Sequence, residues 1–218
     1  MKRLVCILLA FSAACANEAK SVPSWADESR LGPFQNAWQS IAQEESVSYY
    51  LARTTYTEDI GSWGSKFTCV GVKEKNRDYS AKTVTSHFLY KNEASQNEIQ
   101  EVEETVKAIK RHGYNNIFNA IEYVKVINGS ISLIDDLVYT DSACDIFFAD
   151  YANSKEGGFE LWVSGEHINS IPGHCEFIFD YFRGKESTVH NVYDKENCKD
   201  VVEKLGKLTT PKTSLPTA

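Results

Sequence analysis

Two acidic residues stand at positions where the alternation of a β-strand predicts a buried side chain. Asp135 lies in the middle of a face whose other members are apolar, namely Ile131, Leu133, Leu137 and Tyr139. Glu104 has the same kind of position, among Val102, Val106 and Ala108. Burying an ionised carboxylate without a partner costs several kcal/mol. Each acid must therefore be paired, protonated or in contact with a wet cavity.

Inward carboxylates together with aromatic rings could bind a small organic cation. Carboxylates offer charge-assisted hydrogen bonds to an ammonium group, and ring faces attract it through cation–π interactions. For either acid alone, pairing with a nearby Lys or Arg, or a bulge that turns the side chain outward, is the simpler explanation. Two such acids inside one closed sheet favour a binding cavity instead, because a barrel of eight strands can enclose one small ligand.

No motif in the sequence indicates catalysis or a metal site. There is no nucleophile elbow and no Cys–His arrangement, and the five histidines are scattered without metal-ligand spacing. Asp141, Asp145 and Glu160 lack the spacing of a calcium-binding loop. A hydrolase with paired carboxylates is a minor alternative, because its geometry is not visible in a sequence. We therefore predict no catalytic residue, no metal and no cofactor.

Segments with the period of a β-strand fill the middle of the chain. They are rich in Val, Ile, Tyr, Phe and Thr and are separated by turn residues: Val47–Tyr56, Lys66–Val72, Thr83–Tyr90, Ile99–Ile109, Ala120–Ile127, Ser130–Tyr139, Cys144–Ala149 and Gly158–Val163. A helical spacing over Pro33–Gln43 precedes them, and a second, between Pro172 and Gly184, follows them. This order predicts an all-β fold, an eight-stranded antiparallel barrel with an N-terminal helix and a C-terminal helix packed outside.

Residues 1–16 have the composition of a secretory signal peptide. Lys2 and Arg3 precede an apolar run, and Ala14-Cys15-Ala16 has the small-x-small pattern of a cleavage site. A lipoprotein acylated at Cys15 is a minor alternative, because Ser12 stands where Leu is usual. The apolar run is too short to span a bilayer. We therefore predict a secreted, extracellular protein whose mature chain begins after Ala16.

The charge balance argues against several classes of partner. The chain has 23 Lys and Arg against 30 Asp and Glu, a net charge of -7, and loss of the signal peptide makes it more acidic. DNA, RNA and anionic membranes require a basic surface. We therefore predict neither a nucleic acid nor a membrane as partner, whereas a cation fits the charge.

Four cysteines remain after the predicted signal peptide, Cys69, Cys144, Cys175 and Cys198. An even number in an exported protein predicts two disulfides, and their spacing does not choose among the three pairings.

Asn128-Gly129-Ser130 is a glycosylation sequon at an expected surface turn. Because the chain beyond Cys198 ends in Ser, Thr, Pro and Lys, we expect one domain over residues 17–198 and a flexible tail over residues 199–218.

Several short motifs occur in an order that a known family shares. They are Ser24-Trp25-Ala26-Asp27-Glu28, Gln35-Asn36-Ala37-Trp38, Phe67-Thr68-Cys69-Val70-Gly71-Val72, Tyr139-Thr140-Asp141 with Cys144-Asp145, and Gly158-Phe159-Glu160-Leu161-Trp162. In this order they resemble the tick salivary histamine-binding lipocalins. The resemblance covers nearly the whole mature chain up to Cys198.

The resemblance implies a lipocalin barrel with disulfides Cys69–Cys198 and Cys144–Cys175. It also implies two internal acidic pockets that hold biogenic amines. One pocket would use Tyr56, Asp59, Glu104 and Tyr123. The other would use Trp63, Asp135, Asp145, Glu160 and Trp162, with Ser40, Glu44 and Tyr49 near its mouth. Of these acids, the strand alternation alone had already indicated Asp135 and Glu104.

The sequence also departs from the family pattern. Ile121 and Leu133 stand where family members carry phenylalanine, the loop Asp59–Trp63 is one residue longer, and Glu44 replaces a shorter acid.

The predicted function is stoichiometric capture of histamine, with serotonin as a second candidate amine, which would suppress host inflammation. The alternative is a lipid- or sterol-binding lipocalin that modulates host immune cells. The inward acids oppose this alternative, and the two lost rings favour it.

Overall fold

A computed structural model describes residues 22–59, 61–126 and 130–208. The predicted signal peptide and the sequon residue Asn128 lie outside the described residues. In chain order the strands are β1 Tyr49–Thr54, β2 Glu58–Asp59, β3 Gly64–Ser65, β4 Thr68–Asp78, β5 Thr83–Lys91, β6 Gln100–Ile109, β7 Ala120–Val126, β8 Ser130–Thr140, β9 Cys144–Ala149, β10 Gly158–Ser164 and β11 His190–Asn191.

Eight of these strands close into an antiparallel barrel. β1 pairs with β4, each strand from β4 to β9 pairs with the next, and β10 returns to pair with β1. Tyr49 lies opposite Ser164 in the pair that closes the barrel. β2 and β3 form a separate small hairpin, and β11 adds two residues beside β1. The predicted barrel is therefore confirmed.

The helices are α1 Glu28–Leu31, α2 Ala37–Ile41, α3 Ala152–Lys155, α4 Gly173–Arg183 and α5 Lys199–Lys207, with a 3-10 turn at Gly32–Phe34. The prediction of one continuous helix over Pro33–Gln43 is wrong. A new helix begins inside it, because the Asn36 side chain accepts a hydrogen bond from the Gln39 backbone N–H at 3.2 Å. Phe34, which the helical stripe predicts to be buried, is half exposed and stacks on Tyr139.

The prediction of a flexible tail from residue 199 is wrong over Lys199–Lys207. This segment forms α5, and its Val201 and Leu205 are fully buried against the outside of the barrel. Spacing of i, i+4 places these two side chains on one helix face. Residues 209–218 of the predicted tail lie outside the described residues.

Apolar residues pack on both sides of the barrel sheet. One cluster fills part of the interior, and a second lies between the outer face of the sheet and helices α4 and α5. Every residue of β10 is buried, because one face points into the barrel and α4 covers the other. α4 runs from Pro172 to Gly184 as predicted, and the left-handed conformation at Gly184 (φ 72°) ends it.

Two disulfides tie the helices to the barrel. Cys144–Cys175 joins β9 to α4, and Cys69–Cys198 joins β4 to the start of α5. Both pairings implied by the family resemblance are confirmed. Among the described residues, the helices are too short or too polar to cross a bilayer.

Candidate functional site

A cavity lies inside the barrel, beneath α2. Most of its lining is aromatic or aliphatic, but five carboxyl groups also line it: Glu74, Glu104, Asp135, Asp145 and Glu160. They come from five different strands, β4, β6, β8, β9 and β10. Because side chains alternate between the two faces of a strand, each strand contributes one acid to the interior and leaves its neighbours facing outward. The barrel therefore concentrates negative groups in an otherwise apolar space.

Asp59, Asp135 and Glu160 lie close enough to repel each other, and we call Asp135 and Glu160 the tyrosine-bound acids. All three are buried. Tyr56 Oη donates to Glu160 Oε1, and Tyr123 Oη donates to Asp135 Oδ2 at 3.0 Å. These bonds satisfy part of each carboxyl group without supplying a positive charge.

Further hydrogen bonds fix the geometry of the tyrosine-bound acids and of Asp59. Trp162 Nε1 donates to Glu160 Oε2 at 2.7 Å, and the Ser62 backbone N–H donates to Asp59 Oδ1 at 2.8 Å. Tyr151, from the turn before α3, hydrogen-bonds to the Tyr123 hydroxyl. The acids are thus held by neutral donors.

Glu74 and Asp145 form a second group, which we call the serine-bound acids. Ser86 Oγ donates to Glu74 Oε2 at 2.7 Å, and Ser40 Oγ, which reaches in from α2, donates to Asp145 Oδ2 at 3.0 Å. Glu104 lines the same cavity, in register with Ser86 on the neighbouring strand.

Burial and mutual repulsion raise the pKa values of these acids. Burial and the charges of Glu160 and Asp59 hold the pKa of Asp135 well above its usual range, and burial raises the pKa of Glu160. Burial raises the pKa of Asp145 to about 7. Burial, with the charge of Asp145, raises the pKa of Glu74 to about 8. A positive guest would lower all four, since an opposite charge favours the ionised form.

Positive protein side chains do not neutralise these acids within the described part of the chain. None of its Lys, Arg or His residues forms an ion pair with Glu74, Asp135, Asp145 or Glu160. Moreover, Asp135 Oδ1 and Asp145 Oδ1 are buried without a hydrogen-bond partner among the described residues. A buried acceptor without a partner carries a desolvation cost. Both oxygens are therefore available to a donor that enters the cavity.

The division into two pockets that the family resemblance implies is not the division in the structure. Tyr56 and Tyr123 were expected apart from Asp135 and Glu160, but their hydroxyls bond to those two carboxyls. Asp145 was expected beside Asp135, yet it lies in electrostatic contact with Glu74 instead. The strand order explains these contacts, because β7 is the neighbour of β8 and β1 is the neighbour of β10.

Most of the other predicted site residues lie at the cavity. Ser40, Tyr49, Trp63 and Trp162 line it, and Trp63 packs edge-on against Phe88 at 4.9 Å between ring centroids. Glu44 does not line the cavity: its side chain is 78% exposed and pairs with Arg77, next to Gln43, which does line it. Of the two residues that replace phenylalanine in the family pattern, Ile121 lines the cavity and Leu133 is buried beside it.

Polar residues of the site that were not predicted include Gln43, Glu74, Ser86 and Tyr151. Alternation along β4 places Glu74 on the same face as Val70 and Val72. Glu74 was not predicted because the predicted strand ended at Val72. Tyr151 lies in the turn after β9, where no period exists to indicate its direction.

Known proteins of similar sequence give independent evidence on the family of this chain. A family model described as tick histamine binding protein matches residues 25–200. The male-specific histamine-binding salivary protein of Rhipicephalus appendiculatus is 37% identical over 88% of this chain and 96% of its own length. The female-specific histamine-binding protein 1 of the same tick is 32% identical over 86% of this chain and 95% of its own.

A solved structure agrees in fold. The crystal structure of the AM182 serotonin complex superposes with a TM-score of 0.53 and 22% identity, covering 77% of this chain and 94% of that one. At this level of identity the likeness concerns the barrel and its outer helices.

Proposed function

The chain belongs to the tick histamine-binding protein family, and we propose that it captures a small cationic amine inside its barrel. Histamine is the first candidate and serotonin the second. The observation that carries the proposal is the set of buried carboxyls in the cavity, held by tyrosine and serine hydroxyls rather than by basic side chains. Capture would be stoichiometric, with no chemistry on the ligand.

The electrostatics of the cavity support a cationic ligand. In the free protein, repulsion and burial favour the protonated form of the acids. An ammonium group that enters can donate to the free oxygens Asp135 Oδ1 and Asp145 Oδ1 and relieve the repulsion. Charge-assisted hydrogen bonds of this kind are about twice as strong as neutral ones.

The aromatic part of the lining supports an aromatic amine. Trp63, Phe88 and Trp162 lie together at one side of the cavity. Ring faces of this kind attract cations and stack on flat ligands. Histamine and serotonin each have an ammonium group and a flat ring. Either could therefore contact both the carboxyl groups and the aromatic rings of the lining.

The proposed setting is the saliva of a feeding tick. Residues 1–16 predict secretion. One of the two relatives, the male-specific histamine-binding protein, is a salivary protein. A secreted protein that binds histamine at the bite would lower its free concentration and suppress host inflammation.

A lipid or sterol is the competing ligand, and Ile121 in the cavity lining is the observation that favours it. An apolar ligand would leave Asp135 Oδ1 and Asp145 Oδ1 without a donor, however, and would keep the other acids desolvated. The carboxyls therefore favour the amine.

Calorimetric titration tests the proposal. The mature protein, secreted from a eukaryotic host so that both disulfides form, is titrated with histamine, serotonin and cholesterol. We expect saturable binding of at least one amine and none of cholesterol. Binding of cholesterol alone would contradict amine capture and favour the lipid alternative.

A further inference from the structure

The two acidic groups face one continuous cavity from opposite ends. Glu74 and Asp145 line it near α2, and Asp135 and Glu160 line it deeper in the barrel. Each end holds one carboxylate oxygen without a hydrogen-bond partner among the described residues, Asp145 Oδ1 and Asp135 Oδ1. Both residues are only 4% exposed. Two separated acids, each with an oxygen that lacks a hydrogen-bond partner among the described residues, therefore line the same cavity.

The strand register gives the spacing between the two groups. On β9, Asp145 pairs with Trp162 and Phe147 pairs with Glu160, whereas Ala149 lies opposite Asp135. Two residues along a strand span about 7 Å and four span about 13 Å. Measured along β9, the levels of Glu160 and Asp135 thus lie about 7 Å and about 13 Å from Asp145.

Apolar side chains also line the cavity beside the two groups. Phe147 lies between the levels of Asp145 and Asp135 on β9, and Val106 and Ile121 line the cavity nearby. A ligand that spans the cavity would need a positive charge at each end and a hydrocarbon middle. An aromatic monoamine can satisfy only one of the two ends.

We propose that the cavity also accepts an elongated dication, an aliphatic diamine, with one ammonium group at the serine-bound acids and the other at the tyrosine-bound acids. This inference rests on the proposed capture of amines. It adds Glu74 as a residue that binds the second ammonium group together with Asp145, with Ser86 and Ser40 orienting the two carboxyls. A chain of about five carbons reaches from one group to the other.

Cadaverine and pentylamine form a matched pair of probes, because they share a five-carbon chain and differ by one ammonium group. In calorimetric titration of the wild-type protein, we expect one cadaverine per chain and an affinity about tenfold above that of pentylamine. Equal affinities would overturn the proposal, and so would two cadaverine molecules per chain.

Variants locate the second ammonium group. In a Glu74→Gln, Asp145→Asn double variant, the ratio of cadaverine to pentylamine affinity should fall toward one. Glu103→Gln is the control, because Glu103 faces outward on β6 beside Glu104 and pairs with Lys75. An unchanged ratio in the double variant would overturn the proposal. The wild-type comparison decides the matter even if that variant does not fold.

A parallel titration with histamine separates this inference from the proposed function. Histamine binding without an advantage for cadaverine would contradict the dication site alone. A clear cadaverine advantage in a protein that binds neither histamine nor serotonin would contradict those two amines as the captured ligands and support the dication site.

Discussion

Asp135 and Asp136 are chain neighbours with opposite surroundings. Asp135 points into the cavity and bonds to a tyrosine hydroxyl. Asp136, on the outer face of β8, is equally buried but accepts from Arg111 Nη1 at 2.9 Å and contacts His112 Nε2 at 2.8 Å. Both positions break the rule that buried strand residues are apolar. The outer acid has the cation Arg111 as a partner and serves the fold, whereas no ion pair of the inner acid is found among the described residues.

This difference predicts opposite effects of two matched substitutions. Asp135→Asn should weaken histamine binding by about tenfold or more, because it removes a charge-assisted partner, and it should stabilise the free protein by removing a repelled acid. Asp136→Asn should destabilise the protein by about 1–3 kcal/mol and leave the affinity unchanged. Calorimetry and urea unfolding measure the two quantities. The same loss of affinity in both variants would contradict the assignment of roles.

The raised pKa values of Glu74 and Asp145 predict how stability depends on pH. Their values in the folded protein, about 8 and about 7, lie above the ordinary values of 4.5 and 3.8. Between these limits the folded state therefore holds protons that the unfolded chain releases. It follows that the free energy of unfolding falls as the pH rises from about 4.5 through 8.

Urea unfolding of the ligand-free protein at pH 5.5 and pH 8 checks this expectation, with both pH values chosen inside the window of about 4.5 to 8. The Glu74→Gln, Asp145→Asn double variant should lose most of the dependence on pH, and the outward control Glu103→Gln should keep it. A wild-type protein that is more stable at the higher pH would refute the raised pKa values.

At the scale of the elements, the start of β10 positions a key hydroxyl. Gly158 lies against the ring of Tyr56, and a Cβ atom at this position would come within 2.3 Å of Tyr56 Cδ1. No side chain fits unless the ring moves. Since Tyr56 donates to Glu160 two residues further along β10, the glycine keeps this strand close enough for the hydrogen bond.

Gly158→Ala should therefore displace Tyr56 and weaken histamine binding several-fold, an effect of about 1 kcal/mol or more. Gly173→Ala at the start of α4 is the control, because no atom lies within 4 Å of its added Cβ. Titration of both variants tests the point. Unchanged affinity in Gly158→Ala would mean that the position of the Tyr56 hydroxyl does not matter for binding.

Sequence patterns predict these elements unequally. The long strands follow from alternation, which also places Asp135 and Glu104 inside, because a side-chain period of two leaves one face for the interior. α5 was not predicted, because the chain end is mostly polar and its apolar helix face has only two buried residues, Val201 and Leu205. The hydrogen bonds of Tyr56 to Glu160 and of Tyr123 to Asp135 are not readable from alternation, because they depend on which strands are neighbours in the barrel.

At the scale of the whole molecule, the outer layer makes the acidic interior possible. Buried acids that repel each other destabilise a fold, and a barrel that holds them needs stability from elsewhere. Here the apolar cluster between the sheet and helices α4 and α5 supplies burial, and two disulfides tie those helices to the barrel. The outer layer stabilises the fold, so that the interior can hold carboxyl groups that a cationic ligand would ionise.

The most direct test of this account is proton release on histamine binding, measured by calorimetry at pH 7.5 in buffers of different ionisation enthalpy. At this pH histamine is largely a monocation in solution, and acids with pKa values of about 7 and about 8 still hold protons. The account predicts that binding releases protons and that affinity rises with pH from 6 to 8, as linkage requires for acids that titrate in this range. Binding with no proton release, at an affinity that does not change with pH, would contradict recognition by the buried carboxyls.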